Sequence, residues 1–203
     1  MAKLYFRYGA MNCGKTTLLL QAVHNYESRN MKVLVMKPLI DTKGGKKIVS
    51  RIGLEREVDY LIDKDCNLYD YLKNKCKNIS CIFIDEAQFL MSEQIDQLLL
   101  IVVEKDIPII CYGLRLDFNA NGFPGSTRLL QLAHTIEEMK TICECGRKAT
   151  FNARVIDNEF VFSGEQVAID GVGEVKYVSL CPKCYYKKKK KYNKDKNKVL
   201  NNQ

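Results

Sequence analysis

Gly9-Ala10-Met11-Asn12-Cys13-Gly14-Lys15-Thr16 fits the pattern G-x-x-x-x-G-K-[ST] at every fixed position. Its flanks decide whether the match has meaning. Upstream, Lys3-Leu4-Tyr5-Phe6-Arg7-Tyr8 reads as a strand. Downstream, Thr17 to Arg29 places Leu18, Leu19, Ala22, Val23 and Tyr26 at helical spacing. A strand, a glycine loop and a helix in that order make a phosphate-binding loop. Glycines allow the tight turn that aims successive backbone N–H groups at phosphate oxygens, and the helix N-terminus adds its positive dipole end. In such a loop Lys15 reaches the β- and γ-phosphates of a nucleotide, and the Thr16 hydroxyl is a ligand for Mg²⁺.

Working outward, apolar strands alternate with helical stretches. Lys32 to Lys37 reads as a buried strand ended by Pro38, and Asp41-Thr42-Lys43-Gly44-Gly45-Lys46-Lys47 as a mobile polar loop. Asn67 to Lys77 is expected to be a helix, Ile79 to Ile84 a strand, and Ser92 to Glu104 a helix with Ser92 as N-cap. Pro108 to Gly113 is a further strand. This alternation implies an α/β fold of the RecA-like P-loop class, a parallel sheet with helices on both faces. From about Thr141 short strands with turn residues take over: Lys148 to Val155, Glu159 to Phe162 and Val175 to Leu180. The expected organisation is therefore a nucleotide-binding domain over 1–140, a small second domain over 141–186, and a disordered lysine-rich tail over 187–203.

The strand before Asp85-Glu86-Ala87-Gln88-Phe89 gives the second half of a nucleotide site. An acid at the end of an apolar strand holds Mg²⁺ directly or through water, so Asp85 takes that role. Glu86 then stands where a carboxylate can accept the proton of an attacking hydroxyl. The pair does not reveal whether water or a substrate hydroxyl attacks.

Cys143-Glu144-Cys145 and Cys181-Pro182-Lys183-Cys184 form two closely spaced pairs among nine cysteines. Four thiolates suit tetrahedral Zn²⁺ with no open position, a structural site. Bound zinc would tie the base of Gly146 to Leu180 into a closed loop and supply folding energy to a piece too small for its own core. That loop is rich in glycine and apolar residues, and a tethered loop of this kind can fold over a ligand.

Charge and composition exclude several classes. The chain has 32 basic and 24 acidic residues, net +8. Nine lysines and one aspartate fall between Cys181 and Gln203, so the rest holds 23 of each sign and is neutral. A neutral body argues against a nucleic-acid footprint across the folded surface, and no specific nucleic-acid partner is expected. The longest apolar run, Leu98 to Val103, is six residues, far short of a membrane span. The N-terminus goes straight into a strand without a secretory-type leader, so a soluble cytoplasmic protein is expected.

Phe89, Leu114, Phe118, Phe123 and Tyr177 lie just beyond strand ends or in the tethered loop. In open α/β sheets the carboxyl ends of strands face the ligand, so these rings and apolar groups are candidates to hold a planar base. Together with Gly9 to Thr16, the Asp85 to Phe89 block, Tyr112-Gly113-Leu114-Arg115-Leu116-Asp117-Phe118 and the four clustered cysteines, they make residues 3 to 186 resemble the cytosolic, zinc-containing thymidine kinases. The resemblance implies phosphorylation of the thymidine 5′-hydroxyl by ATP with Mg²⁺, a homotetramer, and feedback by dTTP. It implies that Glu86 is the general base. It places Gly9, Ala10, Met11, Asn12, Cys13, Gly14, Lys15, Thr16, Asp41, Thr42, Lys43, Asp85 and Gln88 on the ATP and metal side. It places Phe89 and Phe118 against the base, Met11, Leu114 and Tyr177 around the thymine methyl, and backbone of Val167, Ala168, Ile169 and Asp170 along the pyrimidine edge. Lys43 stands where many members have arginine, keeping the charge and losing the bidentate fork. Ile169-Asp170-Gly171 replaces a common Ile-Gly-Gly, in a loop two residues longer before Tyr177.

Two rival readings use the same residues. A zinc-containing P-loop ATPase acting on nucleic acid would use the lysine tail as its anchor. A zinc-stapled binding module would carry a degenerate loop, against which the intact Gly14, Lys15, Thr16, Asp85 and Glu86 weigh.

Overall fold

The computed structural model describes residues 1–164, 166 and 175–200, with side chains through 197. The backbone divides into two compact units. The first comprises Met1–Tyr8, Gly14–Arg115 and Phe123–Met139; the second comprises Gly9–Cys13, Leu116–Gly122 and Lys140–Gln203. Gly9–Cys13 and Leu116–Gly122 group with the second unit although both precede Met139 in the chain.

In the first unit, β1 (Leu4–Gly9), α1 (Lys15–Glu27), β2 (Val33–Pro38), a hairpin of β3 (Lys47–Val49) and β4 (Glu55–Glu57), β5 (Tyr60–Ile62) and α2 (Leu68–Leu72) are followed by β6 (Cys81–Ile84). A short 3₁₀ turn over Ala87–Phe89 leads to α3 (Ser92–Lys105), β7 (Ile109–Gly113), α4 (Pro124–Leu132) and β8 (Thr135–Met139). The sheet order is β5-β2-β6-β7-β1-β8, and β5, β2, β6, β7 and β1 pair in parallel. The central strands β6 and β7 are buried at every residue, so they read as unbroken apolar runs instead of alternating ones.

Alternate residues of these strands feed two cores. Ile82, Ile84, Ile109 and Cys111 pack with Leu68, Leu72, Ile95, Leu98, Ile101 and Leu129, which come from α2, α3 and α4. Cys81, Phe83, Ile110 and Tyr112 pack with Leu19, Leu20 and Val23 of α1. A two-residue period sending neighbouring side chains to opposite faces is the expected geometry of a sheet with helices on both sides.

Several elements differ from the sequence reading. The α2 helix is only five residues long: Asn67 caps it by accepting from the Asp70 N–H, and both Lys75 and Cys76 N–H turn back to the Leu72 carbonyl. Ser92 is the first residue of α3 and not its cap. Met91 holds that position, its N–H donating to Gln94 Oε1 at 3.1 Å.

The second unit holds the hairpin β9 (Thr141–Ile142) and β10 (Lys148–Ala149), and an antiparallel sheet of β12 (Glu159–Val161), β11 (Phe151–Ile156) and β13 (Val175–Leu180). It ends in α5 (Pro182–Leu200). The lysine-rich stretch read as a disordered tail is thus helical through Leu200. Lysine is a good helix former, and the helix is seated by Tyr185, which is 0% exposed, and by Tyr192, whose ring lies 5.8 Å from that of Phe162.

Candidate active site

The phosphate-binding loop leaves β1 and enters α1 as its sequence requires. Gly14 lies in the left-handed region at φ 83°, immediately before the first helical residue, Lys15. Lys15 is buried and the loop's last member, Thr16, is half-buried. The earlier half of the loop is held within the second unit. Met11 N–H donates to Asn152 Oδ1 at 2.8 Å, and Ser179 Oγ donates to the Met11 carbonyl.

At the end of β6, Asp85 is 4% exposed. Its Oδ2 accepts from the Thr16 hydroxyl at 3.1 Å and its Oδ1 from the Glu86 N–H at 3.0 Å. Burial pushes the Asp85 carboxyl up to about 7, the Glu86 charge adds to the rise, and Lys15 and the Thr16 hydroxyl oppose it. A hydroxyl and a carboxylate side by side are hard oxygen donors, and they fit Mg²⁺.

Glu86 occupies the left-handed region at φ 50°, an uncommon position for a residue with a Cβ. Its carboxylate accepts from Gln88 Nε2 at 2.5 Å. Gln88 is fully buried and is fixed from its other end, because its Oε1 accepts from the Leu114 N–H at 3.0 Å. Gly113 makes room for that amide: a Cβ there would lie 2.8 Å from Gln88 Oε1. Gln88, expected from the sequence on the phosphate and metal side, directs one of its two amide N–H donors to Glu86. Leu114 is held in turn, its carbonyl accepting from Ser126 Oγ.

Phe89 is half-buried and its ring meets Phe123 edge-on at 5.5 Å. Leu114 and Phe123 are almost fully buried. Asp41, Thr42 and Lys43 form the turn after β2, and one residue missed in the sequence holds it. Lys37 is 1% exposed, and its Nζ donates to Asp41 Oδ2 at 2.9 Å and to the Lys43 carbonyl at 2.7 Å. Its only signal in the sequence was a charge inside an apolar strand.

In the second unit, Phe118 is 1% exposed beneath the Arg154 guanidinium, and Tyr177 is half-buried. Val167, Ala168, Ile169 and Asp170 lie outside the described residues. The β9–β10 hairpin carries Cys143 and Cys145 at its tip, where Cys143 N–H donates to the Arg147 carbonyl and Gly146 N–H returns to the Cys143 carbonyl. Cys181 and Cys184 flank the start of α5. All four sulfurs lie within 4.8 Å of one another, and Cys145 and Cys181 are 3.6 Å apart. A tetrahedron with Zn–S of about 2.3 Å has edges near that separation. Cys181 is lowered to about 7, chiefly by the Cys184 backbone N–H and then by the neighbouring thiols, while the donating Cys184 is pushed up to about 12. These four residues fit Zn²⁺ with no position left open.

The family model described as thymidine kinase matches residues 2–185. The chain belongs to the thymidine kinase family. Curated thymidine kinases agree along nearly their whole length. That of Francisella tularensis subsp. holarctica is 43% identical over 190 residues, covering 90% of this chain and 96% of the relative. That of Enterobacteria phage T4 is 46% identical over 187 residues, covering 90% and 95%. That of Legionella pneumophila strain Lens is 47% identical over 193 residues, covering 93% and 90%. Among solved structures, the Legionella pneumophila ATPase DotB covers 72% of this chain and 43% of its own, at 16% identity and a TM-score of 0.39, too loose a likeness to argue from. Among the described residues of this thymidine kinase family member, no helix is long and apolar enough to cross a membrane.

Proposed function

We propose that the protein is a thymidine kinase that transfers the γ-phosphoryl group of ATP to the 5′-hydroxyl of thymidine, giving dTMP and ADP. Membership of the family supports the substrates. The observation that carries the chemistry is the chain of contacts from Thr16 through Asp85 and Glu86 to Gln88. It sets a carboxylate one residue past a candidate metal-holding aspartate and fixes its orientation.

In this reading, backbone N–H groups of Gly9 to Thr16 and the Lys15 ammonium hold the triphosphate, and Asp41 to Lys43 lie near the transferred group. Thr16 and Asp85 would hold Mg²⁺, which when bound offsets charge on the β- and γ-phosphates. Glu86 accepts the proton of the 5′-hydroxyl as the oxygen attacks. Gln88 donates to one Glu86 oxygen and so orients the carboxylate for that transfer. Phosphoryl transfer then needs alignment and charge stabilisation, with no covalent enzyme intermediate.

Met11, Phe89, Leu114, Phe118, Phe123 and Tyr177 receive the thymine, with backbone of residues 167 to 170 on its polar edge. Zn²⁺ at Cys143, Cys145, Cys181 and Cys184 ties the base of the loop that carries those groups. The active form is a cytoplasmic homotetramer subject to dTTP feedback. Labelled γ-phosphate transfer from ATP to a panel of nucleosides tests the assignment. Thymidine should be the best acceptor; hydrolysis stimulated by DNA or RNA with no nucleoside product would overturn it.

A further inference from the structure

Arg154 is a cation inside the second unit, 4% exposed, on a strand whose neighbours Ala153 and Val155 are apolar and buried. Burying a guanidinium carries a desolvation penalty, and an apolar residue of similar volume would fill the space without it. What arginine adds is direction: a flat face and a rigid fork of N–H donors.

Each of these is used on a different segment. The guanidinium carbon lies 3.7 Å from the centre of the Phe118 ring. Nε donates to the Tyr177 hydroxyl at 3.1 Å, and Nη2 to the Gln166 carbonyl at 3.2 Å. Strand register puts Arg154 directly opposite Tyr177 in the β11–β13 pair, so the first bond is built into the sheet. Gly164 lies beside the fork at φ +108°, a backbone conformation that favours glycine.

The Phe118 segment is braced independently of Arg154. Asp117 Oδ1 accepts from the Asn119 and Asn121 N–H groups, each at 2.8 Å, and the Phe118 carbonyl accepts from the Tyr185 hydroxyl at 2.8 Å. Gln166 is likewise held at a second point, its Nε2 donating to Asp117 Oδ2 at 3.2 Å. With those backbones already fixed, the guanidinium decides finer quantities, the plane of the Phe118 ring and the direction of the Tyr177 hydroxyl.

We propose that Arg154 is a positioning residue for the nucleoside, acting through Phe118 and Tyr177 to set the shape of the base pocket. This rests on the reading that the protein phosphorylates thymidine and that those two side chains meet the base.

The test uses the full-length zinc-loaded protein and the variants Arg154→Met, Arg154→Lys and Arg154→Gln. Arg154→Met keeps apolar cover on the Phe118 ring and loses both hydrogen bonds. Its KM for thymidine should rise about tenfold to a hundredfold, the range for removing hydrogen bonds from a charged donor. Its kcat and its KM for ATP should stay within about twofold, because the loss is of nucleoside binding that ground and transition states share. Arg154→Lys should recover part of the loss, since an ammonium cannot cover the ring and reach both acceptors together. In a Tyr177→Phe background, Arg154→Met should cost less than it does alone, as coupled residues are non-additive.

An unchanged KM for thymidine would overturn the proposal. So would an equal rise in both KM values, or full additivity with Tyr177→Phe. Should Arg154→Met not fold, the Lys and Gln variants carry the same comparison. Wild-type protein that leaves thymidine unphosphorylated would sink the kinase reading itself, whereas an active wild type with indifferent variants sinks this inference alone.

Discussion

Replacing Asp85 by Asn should make the ligand-free protein more stable and catalytically dead, and the size of the gain follows from the structure. The carboxyl is 4% exposed and lies beside Glu86, and these two causes raise it from 3.8 to about 7. A carboxyl raised on folding contributes stability that is full below the unfolded value of 3.8 and is lost as pH rises through the folded value near 7. Three pK units correspond to roughly 4 kcal/mol. Relaxation and water entry reduce this to an expected gain of about 1–3 kcal/mol for the amide at pH 8. Asn can keep the local bonds, with Oδ1 accepting from the Glu86 N–H and the amide donating to the Thr16 oxygen.

At about 2–4 °C per kcal/mol for a chain of this size, Tm should rise by several degrees. The assay is thermal unfolding at pH 5 and pH 8 in magnesium-free buffer without chelator, so that zinc stays bound. The gain should be clearly larger at pH 8, and Mg²⁺ should stabilise the wild type more than the variant. A lower Tm for Asp85→Asn at pH 8, or an equal gain at both pH values, would mean that the buried Asp85 charge does not destabilise the fold.

Other perturbations probe separate parts of the structure. Gly125→Ala should destabilise by about 1–3 kcal/mol in urea unfolding, because the new Cβ would meet the Ala87 and Leu90 carbonyls at 2.6 and 2.7 Å; a neutral result would mean that this turn shifts freely. Metal analysis should find about one zinc per chain, and Cys184→Ser should lose it together with hydrogen-exchange protection of strands β9 to β13. Lys37→Met should raise the KM for ATP about tenfold by releasing the Asp41–Lys43 turn, with the KM for thymidine unchanged. An equal rise in both would show that Lys37 serves only the fold.

The parts of this chain that were legible in its sequence are those in which one local requirement dominates. Gly14, Lys15 and Thr16 sit between a strand and a helix because a phosphate-binding loop needs that context, and β6 and β7 announce themselves as unbroken apolar runs. The α4 helix leaves no clear sequence signal, because Pro124-Gly125 resembles a turn. In the structure Pro124 is the first helical residue and Gly125 marks close packing against the Ala87 and Leu90 carbonyls. Lys187 to Leu200 looked disordered on charge alone, since the seating of Tyr185 and Tyr192 against Phe162 is tertiary and leaves no local pattern.

The candidate site divides in the same way. Asp85 and Glu86 could be named from a motif, whereas the Gln88 bond to Glu86 depends on a left-handed backbone at Glu86 that no residue type demands. Lys37 and Arg154 are hidden in the sequence for a related reason. A lone charge in an apolar strand signals only that something is held, and what it holds comes from distant segments.

In the proposed reaction Glu86 takes the proton of the attacking hydroxyl. Single-turnover phosphoryl transfer by Glu86→Gln, with ATP and thymidine affinities measured on the same protein, tests it most directly. Both ligands should bind within about threefold of wild type while the transfer rate falls about 10²–10⁴-fold, the usual worth of a positioned base. Transfer at a near wild-type rate with both ligands bound would show that Glu86 is not the base.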